Sequence, residues 1–381
     1  VLYLPSDLIS MMVEKSNLTI DHGHILVINP GSTSTKLAIY KFNLPSSLIL
    51  IHETNMDHSK HEEIRTDSIM EQFEFRLQAV QDFLRQTDLS IELIMARGAP
   101  LRPLPGGVYR VDHFMIDDLE STRYSDHASN LGVLIGYRIA TEKDIPIYIA
   151  DPTTTDEFES IARVSGVPGI ERKSRSHALN IKASTRKLCQ RLEYDFLQTN
   201  WVVCHMGGGI SVAALKNGRI IDVNDALLGM GPFSPERAGA LPIAGLLDLA
   251  FSGEYNRKEL DSLLSKRSGL QGYLHTSNLI EVEEKLQAGD ANANLIFHAM
   301  VYQIAKEIAA MASVLKFELN GILLTGGMAN SQLLCNSLSK RIQTLSSVYI
   351  EPGENELEAL AQAGFRVLLG NEVINAYGPT L

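Results

Sequence analysis

Apolar and polar positions along the chain follow two patterns. In the first, β-branched and aliphatic residues run into a small-residue turn and out again. ILVINPGSTSTKLAIY (25–40) does this once, and WVVCHMGGGISVAALKNGRIIDV (201–223) does it again, with Asn217-Gly218 adding a second turn because both residues tolerate positive φ. Each stretch predicts a strand-turn-strand unit, and their likeness predicts two related halves. In the second pattern, apolar residues recur at helical spacing. Ile69, Phe73, Leu77, Val80 and Leu84 form one face, and Ile296, Met300, Ile304, Ile308, Met311 and Leu315 form another. A further helix is expected from about Leu357 to Leu369. Short apolar runs at Glu92–Ala96, Ile145–Ala150 and Gly321–Thr325 predict more strands. Strands alternating with helices define an α/β protein. Ligands of such sheets bind beyond the carboxyl ends of the strands, and those ends carry Arg97, Asp151 and Gly326-Gly327.

A chain of 381 residues exceeds one ordinary core, so two domains are expected. Apolar residues make up 45% and charged residues 21%, as in a globular protein, and the net charge of −11 comes without a long basic run, which argues against nucleic acid or an acidic membrane surface as partner. The three cysteines, Cys189, Cys204 and Cys335, are odd in number and far apart, so neither a disulfide framework nor a zinc site is indicated. No uninterrupted apolar stretch approaches the ~20 residues of a membrane span. The first residues lack the basic start of a secretory signal. A cytoplasmic protein is expected, with residues 1–23 an appended segment.

The turns carry the candidate chemistry. In Asn29-Pro30-Gly31-Ser32-Thr33-Ser34-Thr35-Lys36, glycine admits an anion to the backbone N–H groups, the hydroxyls add donors and Lys36 adds a point charge. Such a hairpin can cradle a phosphate, although an ordinary tight hairpin reads equally well from composition alone. It is not a Walker A loop, because the G-x-x-x-x-G-K-[ST] spacing is absent and a strand follows. His205-Met206-Gly207-Gly208-Gly209 is the matching turn in the second half. Position 212 is Val, so the G-x-G-x-x-G of a nicotinamide site is missing. Thr325-Gly326-Gly327-Met328-Ala329-Asn330 ends a strand and opens a helix, where a nucleoside or phosphate can lie.

Two such hairpins and a strand-Gly-Gly-helix turn resemble the superfamily of acetate and sugar kinases, heat-shock chaperones and actin. The acetate kinase family fits best, and within it the branch acting on butyrate. The resemblance runs from about Ile25 to Leu369. It rests on INPGSTSTK (28–36), PLPGGVY (103–109), DHASNLG (126–132), HMGGGIS (205–211), GPFSPERAGALP (231–242) and LTGGMANS (324–331). It implies that Asn29, Ser32, Ser34 and Lys36 form the first phosphate hairpin. Arg97 and Arg237 become the catalytic arginines, and His127 and His177 line the phosphoryl path. His205 and Gly207, Gly208 and Gly209 would meet the ATP phosphates, with Gly326 and Gly327 on the adenosine side. Asp151 and Glu356 would serve Mg2+, with Glu358 close enough to compete for the second place.

The chemistry suits these residue types. A fatty acid has a pKa of about 4.3, so the nucleophile is already an anion and needs no base. It needs its repulsion from the triphosphate neutralised, which arginine forks, histidine donors and a metal ion supply. Three departures from the family pattern are visible. Ser176 stands where relatives commonly have an aromatic residue, and Ala99 near where acetate kinases place a valine, so both are expected at a wider acyl pocket. Asn278 and Ile280 replace an Asp and an Arg near the adenosine.

The expected fold is therefore α/β, with two duplicated domains of the actin-like ATPase (acetate kinase) type and an interdomain active-site cleft. The first domain takes 24–150 and about 353–381, and the second 151–352. The expected reaction is ATP plus a short-chain fatty acid, butyrate or a branched relative, giving ADP and acyl phosphate, with Mg2+ required and a homodimer implied by the family. Acetate or propionate as the acid, a sugar or alcohol kinase, and a non-catalytic nucleotide-binding protein are the alternatives.

Overall fold

The computed structural model describes residues 20–61 and 68–379. Most of the expected appended segment lies outside them, and its last two residues, His22 and Gly23, instead begin the first strand. The chain divides into two compact units, one formed by Asp156–Glu354 and the other by the described residues up to Thr155 together with those from Asn355 onward.

The first unit is built on a seven-stranded sheet. Its strands are β1 (His22–Pro30), β2 (Ser34–Asn43), β3 (Ser47–Asp57), β4 (Leu93–Arg97), β5 (Val108–Arg110), β6 (Ile147–Ala150) and β12 (Ile374–Ala376), ordered β12-β5-β6-β4-β1-β2-β3. β1, β2 and β3 form an antiparallel meander, whereas β4 lies parallel to both β1 and β6. The period-two alternation of a strand decides what each face meets. Ile28 and Ile94 lie within reach of Gly136 on helix Ala128–Lys143, while Leu93 and Met95 lie against Gly364 on helix Glu356–Leu368, so the two helices cover opposite faces. At Gly132 a methyl group would come 2.7 Å from the ring of Pro30, so this glycine lets helix Ala128–Lys143 press on the start of the first hairpin.

The second unit repeats the plan with five strands, β7 (Asn200–Met206), β8 (Ile210–Lys216), β9 (Arg219–Val223), β10 (Gly321–Gly326) and β11 (Val348–Pro352), ordered β11-β10-β7-β8-β9. β7, β8 and β9 are antiparallel neighbours, and β10 runs parallel to β7 and β11. Asn217 and Gly218 join β8 to β9 with φ of 51° and 76°, the conformation their sequence predicts. Val202, Cys204 and Met206 pack with helix Ala291–Val314, and Trp201 and Val203 pack with helix Ala178–Arg191 on the other face. Helix Ala291–Val314 is the one described helix long and apolar enough to cross a membrane. Its Phe297, Met300, Val301, Ile304 and Ile308 are instead wholly buried in this core.

Both helical faces form as their spacing predicts, with one refinement. The stretch from Ile69 begins as a 3-10 turn, Ile69–Gln72, before helix Phe73–Thr87. The Gly326-Gly327 turn likewise opens a 3-10 turn, Gly327–Asn330, and the helix Gln332–Ile342 starts only after Ser331 caps it.

Candidate active site

In the first unit the predicted residues gather at the carboxyl ends of β1, β4 and β6. Asn29 closes β1 and Arg97 closes β4. Asn29 Nδ2 donates to Glu356 Oε2 at 2.7 Å, and Arg97 Nη1 donates to the same oxygen and, at 3.3 Å, to Asn29 Oδ1. Three residues far apart in sequence thus form one polar knot. Both of these contacts use Nη1 of Arg97. Glu358, the competing carboxylate, lies instead near Tyr40. Burial, aided by Glu358 and Glu53, raises that phenol to about 12.

Asp151 follows β6 with φ of 40°, a left-handed conformation that turns the chain sharply. Its Oδ1 accepts from Gly107 N at 2.8 Å, and its own N–H donates to Gly107 O at 3.0 Å. The sequence reading started the second domain at Asp151. These bonds, and its place directly after β6, keep it in the first unit. A methyl on Gly98 would come 2.7 Å from Pro152 Cα, so the segment after Arg97 runs tightly against the one after Asp151. His127 caps helix Ala128–Lys143, its Nδ1 accepting from Ser129 N at 3.2 Å. Partial burial, and then the charge of Arg97, hold its pKa below the usual histidine value, so the ring is neutral at pH 7.

The first hairpin places Ser32 and Lys36 in solvent and Ser34 half-buried. Beneath it lies a residue the sequence reading passed over. Arg76, fully buried, sends Nη1 to Gly31 O at 2.8 Å and Ser34 O at 3.0 Å and Nη2 to Ser32 O at 2.8 Å. Ala99 was expected at the acyl pocket. It is 0% exposed and belongs to the apolar cluster of this unit.

In the second unit the glycine turn after β7 meets Arg237. Ser234 Oγ donates to Gly208 O at 2.6 Å and accepts from Arg237 N at 3.2 Å, while Arg237 Nη1 donates to Ala226 O at 2.5 Å. Burial lowers the pKa of Arg237, although Glu236 and Asp225 oppose the shift, and the group remains charged. Gly209 has no room for a side chain, since a Cβ there would sit 2.0 Å from Arg237 Nη1. Gly326, at φ 90°, lies directly behind the same turn, where a Cβ would come 2.4 Å from Met206 O. Gly327 has open space around it.

His177 and His205 stack with centroids 4.0 Å apart. His177 Nδ1 is 2.9 Å from Ser211 Oγ. His205 is 1% exposed, with Nδ1 bonded to Asn180 Oδ1 at 2.8 Å and Nε2 lying 3.2 Å from Glu354 Oε1. It supports the turn from behind. Ser176 is buried next to His177, and its hydroxyl has no hydrogen-bond partner. Asn278 caps helix Leu279–Gln287 through Ile280 N at 3.0 Å, and Ile280 is exposed. Among the described residues no three His, Cys, Asp or Glu side chains converge as a metal cluster.

Two sheets of repeated topology with phosphate-type turns at their strand ends define an actin-like ATPase fold of the acetate kinase type. An acetate kinase from Porphyromonas gingivalis shares it with a TM-score of 0.72 at 18% identity, covering 91% of this chain and 100% of that one. A propionate kinase from Francisella tularensis subsp. tularensis SCHU S4 gives 0.71 at 17% identity, covering 90% and 98%. In sequence, the Acetokinase family model matches residues 169–372. A protein of Listeria monocytogenes serotype 4a (strain HCC23) described as a probable butyrate kinase is 45% identical over 356 residues, 93% of this chain and 99% of its own length. A Listeria welshimeri protein of the same description is 44% identical over the same shares. The chain belongs to the acetokinase family, the ATP-dependent carboxylate kinases.

Proposed function

We propose that this protein transfers the γ-phosphoryl group of ATP, reversibly, to the carboxylate of a short-chain fatty acid, butyrate or a branched relative. The observation that carries the reading is the Asn29–Arg97–Glu356 knot at the strand ends, in a chain 45% identical to proteins described as probable butyrate kinases. An acid that arrives ionised needs no proton removed, so the site has to manage charge. Arg97 meets the oxygens of the acid or of the phosphoryl group in flight. Neutral His127 donates a hydrogen bond without adding charge. On the second unit, the Gly207–Gly209 turn offers backbone N–H groups to the ATP phosphates, and Arg237 beside it stabilises developing negative charge.

Asp151 and Glu356 fit Mg2+, which takes one or two carboxylates and fills its remaining positions with phosphate oxygens and water. The Asp151 carboxylate is oriented by Gly107, and the two contacts of Glu356 fall on Oε2, leaving Oε1 for a cation. Bound there, the ion would neutralise phosphate charge. Asp151→Asn is expected to raise the Mg2+ concentration needed for half-maximal turnover, and an unchanged titration would remove the role.

Acyl-chain length is read at Ser176, a small buried residue where the family resemblance leads one to expect an aromatic. Burying two more CH2 groups than acetate, at ~0.8 kcal/mol each, favours butyrate by roughly fifteen-fold in kcat/KM. Trapping acyl phosphate with hydroxylamine over linear and branched acids of two to five carbons tests this. No hydroxamate with any acid would overturn the function, and acetate outperforming butyrate would overturn the choice of acid. Ser176→Phe should harm longer acids more than acetate; equal ratios in both proteins would remove Ser176 from the pocket.

The protein is taken to work in the cytoplasm, without a nucleic-acid or membrane partner, in keeping with three buried free thiols. It is taken to act as a homodimer. Support comes from helix Ile243–Phe251, an apolar helix with no buried residue, in which Ile243 is 74% and Phe251 84% exposed. A monomer by sedimentation at working concentration would refute the dimer.

A further inference from the structure

We propose that Arg76 is the positioning residue of the first phosphate hairpin, turning the carbonyl oxygens of Gly31, Ser32 and Ser34 inward so that the outer rim of the turn presents donors to a phosphoryl group. The proposal rests on the kinase reading for the identity of the bound group. The geometry is specific. Arg76 lies on the buried stripe of helix Phe73–Thr87 and is 0% exposed. Besides the three carbonyls, Nη1 reaches Thr35 Oγ1 at 3.3 Å, and Nε and Nη2 are 3.0 and 2.8 Å from Gln72 Oε1. Among the described residues every hydrogen-bond partner of Arg76 is a neutral oxygen.

Carbonyl oxygens repel phosphate, and the turn from Gly31 to Ser34 has several to dispose of. A guanidinium beneath it fixes them through a rigid fork that a lysine ammonium does not reproduce. The positive charge then sits directly under the place where anionic oxygens would bind. Burial lowers the Arg76 pKa to about 10, which still leaves the group protonated at neutral pH. His58 reinforces the arrangement from the side. It is buried, its Nε2 lies 2.9 Å from Thr35 Oγ1 and its N–H donates to Thr33 O at 2.8 Å. The 3-10 turn that carries Gln72 is in turn tied to the loop of His127, because Ile69 N donates to the Asp126 carboxylate at 3.2 Å. One support therefore orients both the hairpin and the loop bearing a histidine of the phosphoryl path.

The test compares Arg76→Lys and Arg76→Ala with the unchanged protein, each checked for fold by circular dichroism and melting. Arg76→Lys is expected to fold and to lose at least ~ten-fold in kcat while KM for ATP changes little, as for a group acting in the transition state. Arg76→Ala should regain activity on addition of guanidinium at low millimolar concentration, whereas Arg76→Lys and the unchanged protein should not respond. Normal kcat in Arg76→Lys together with no guanidinium response in Arg76→Ala would overturn the proposal. A second readout is independent of catalysis: inorganic phosphate should move the amide resonances of Ser32 and Thr33 in the unchanged protein and do so only at higher concentration in Arg76→Lys, since the Gly31 N–H is already bonded to Ser34 O within the turn. If the unchanged protein phosphorylates no acid, the kinase reading falls and this titration decides alone, with equal phosphate response in both proteins refuting the role of Arg76.

Discussion

Arg97→Ala should lower kcat by at least ~10², comparable to the loss of an oxyanion-type donor, with the fold retained. The size follows from the arrangement at β4. One nitrogen of the fork is bound to Asn29 and Glu356, which fixes the plane of the guanidinium before any ligand arrives. A pre-oriented group of this kind acts most strongly where charge develops, so the loss should fall on kcat rather than on KM. Arg97→Lys should recover little, because a point charge cannot hold two protein acceptors in place and a substrate oxygen at the same time. Near-normal kcat in Arg97→Ala, measured with saturating acid and ATP, would show that the residue serves the knot and not the chemistry.

The second large effect is expected from a single methyl group. Gly209→Ala would put Cβ 2.0 Å from Nη1 and 2.7 Å from Cζ of Arg237, so the guanidinium must move by more than an ångström. The φ of Gly209 lies outside the left-handed region, so the backbone accepts alanine and the strain falls on the arginine. Displacement of a catalytic group by about 1 Å costs on the order of 10² in rate. A double-mutant cycle identifies the cause. If Gly209→Ala acts only through Arg237, adding it to Arg237→Ala should cost little more than Arg237→Ala alone. Fully additive losses would mean that the turn itself, and not the arginine, suffers.

Much of this organisation is legible in the residue pattern because the physics that records it is local. Turn chemistry marks both hairpins, as Asn217-Gly218 illustrates, and apolar spacing marks the helices around Leu77 and Ile304. The strand ends then nominate Arg97 and Asp151 before any partner is known. Contacts made across long separations leave weaker marks. β5 and β12 are three residues each, too short for a period to register, yet they extend the sheet and secure the Gly107 segment that orients Asp151. Glu354, which faces His205, sits in a loop with no pattern of its own. Arg76 did leave a signal, a charge on the apolar stripe of Phe73, Leu77 and Val80 with no acid three or four residues away on the same helix face, where a cation has to find other acceptors. Ala99 carries no such signal, since a small residue after Arg97 reads equally as pocket lining or as close packing in the core where it is buried.

The bond between Arg97 and Glu356 joins positions 259 residues apart. It also bears on how the molecule is made. The second unit is one continuous stretch, whereas the first needs helix Glu356–Leu368 and β12 to cover β4 and extend its sheet. During synthesis the ribosome must therefore deliver all of Asp156–Glu354 before the first unit can complete its core. Until then Arg97 lacks the carboxylate that orients it, and the nascent chain has one sheet that can close and one that must wait. The timing of translation thus governs when Arg97 first takes up this geometry.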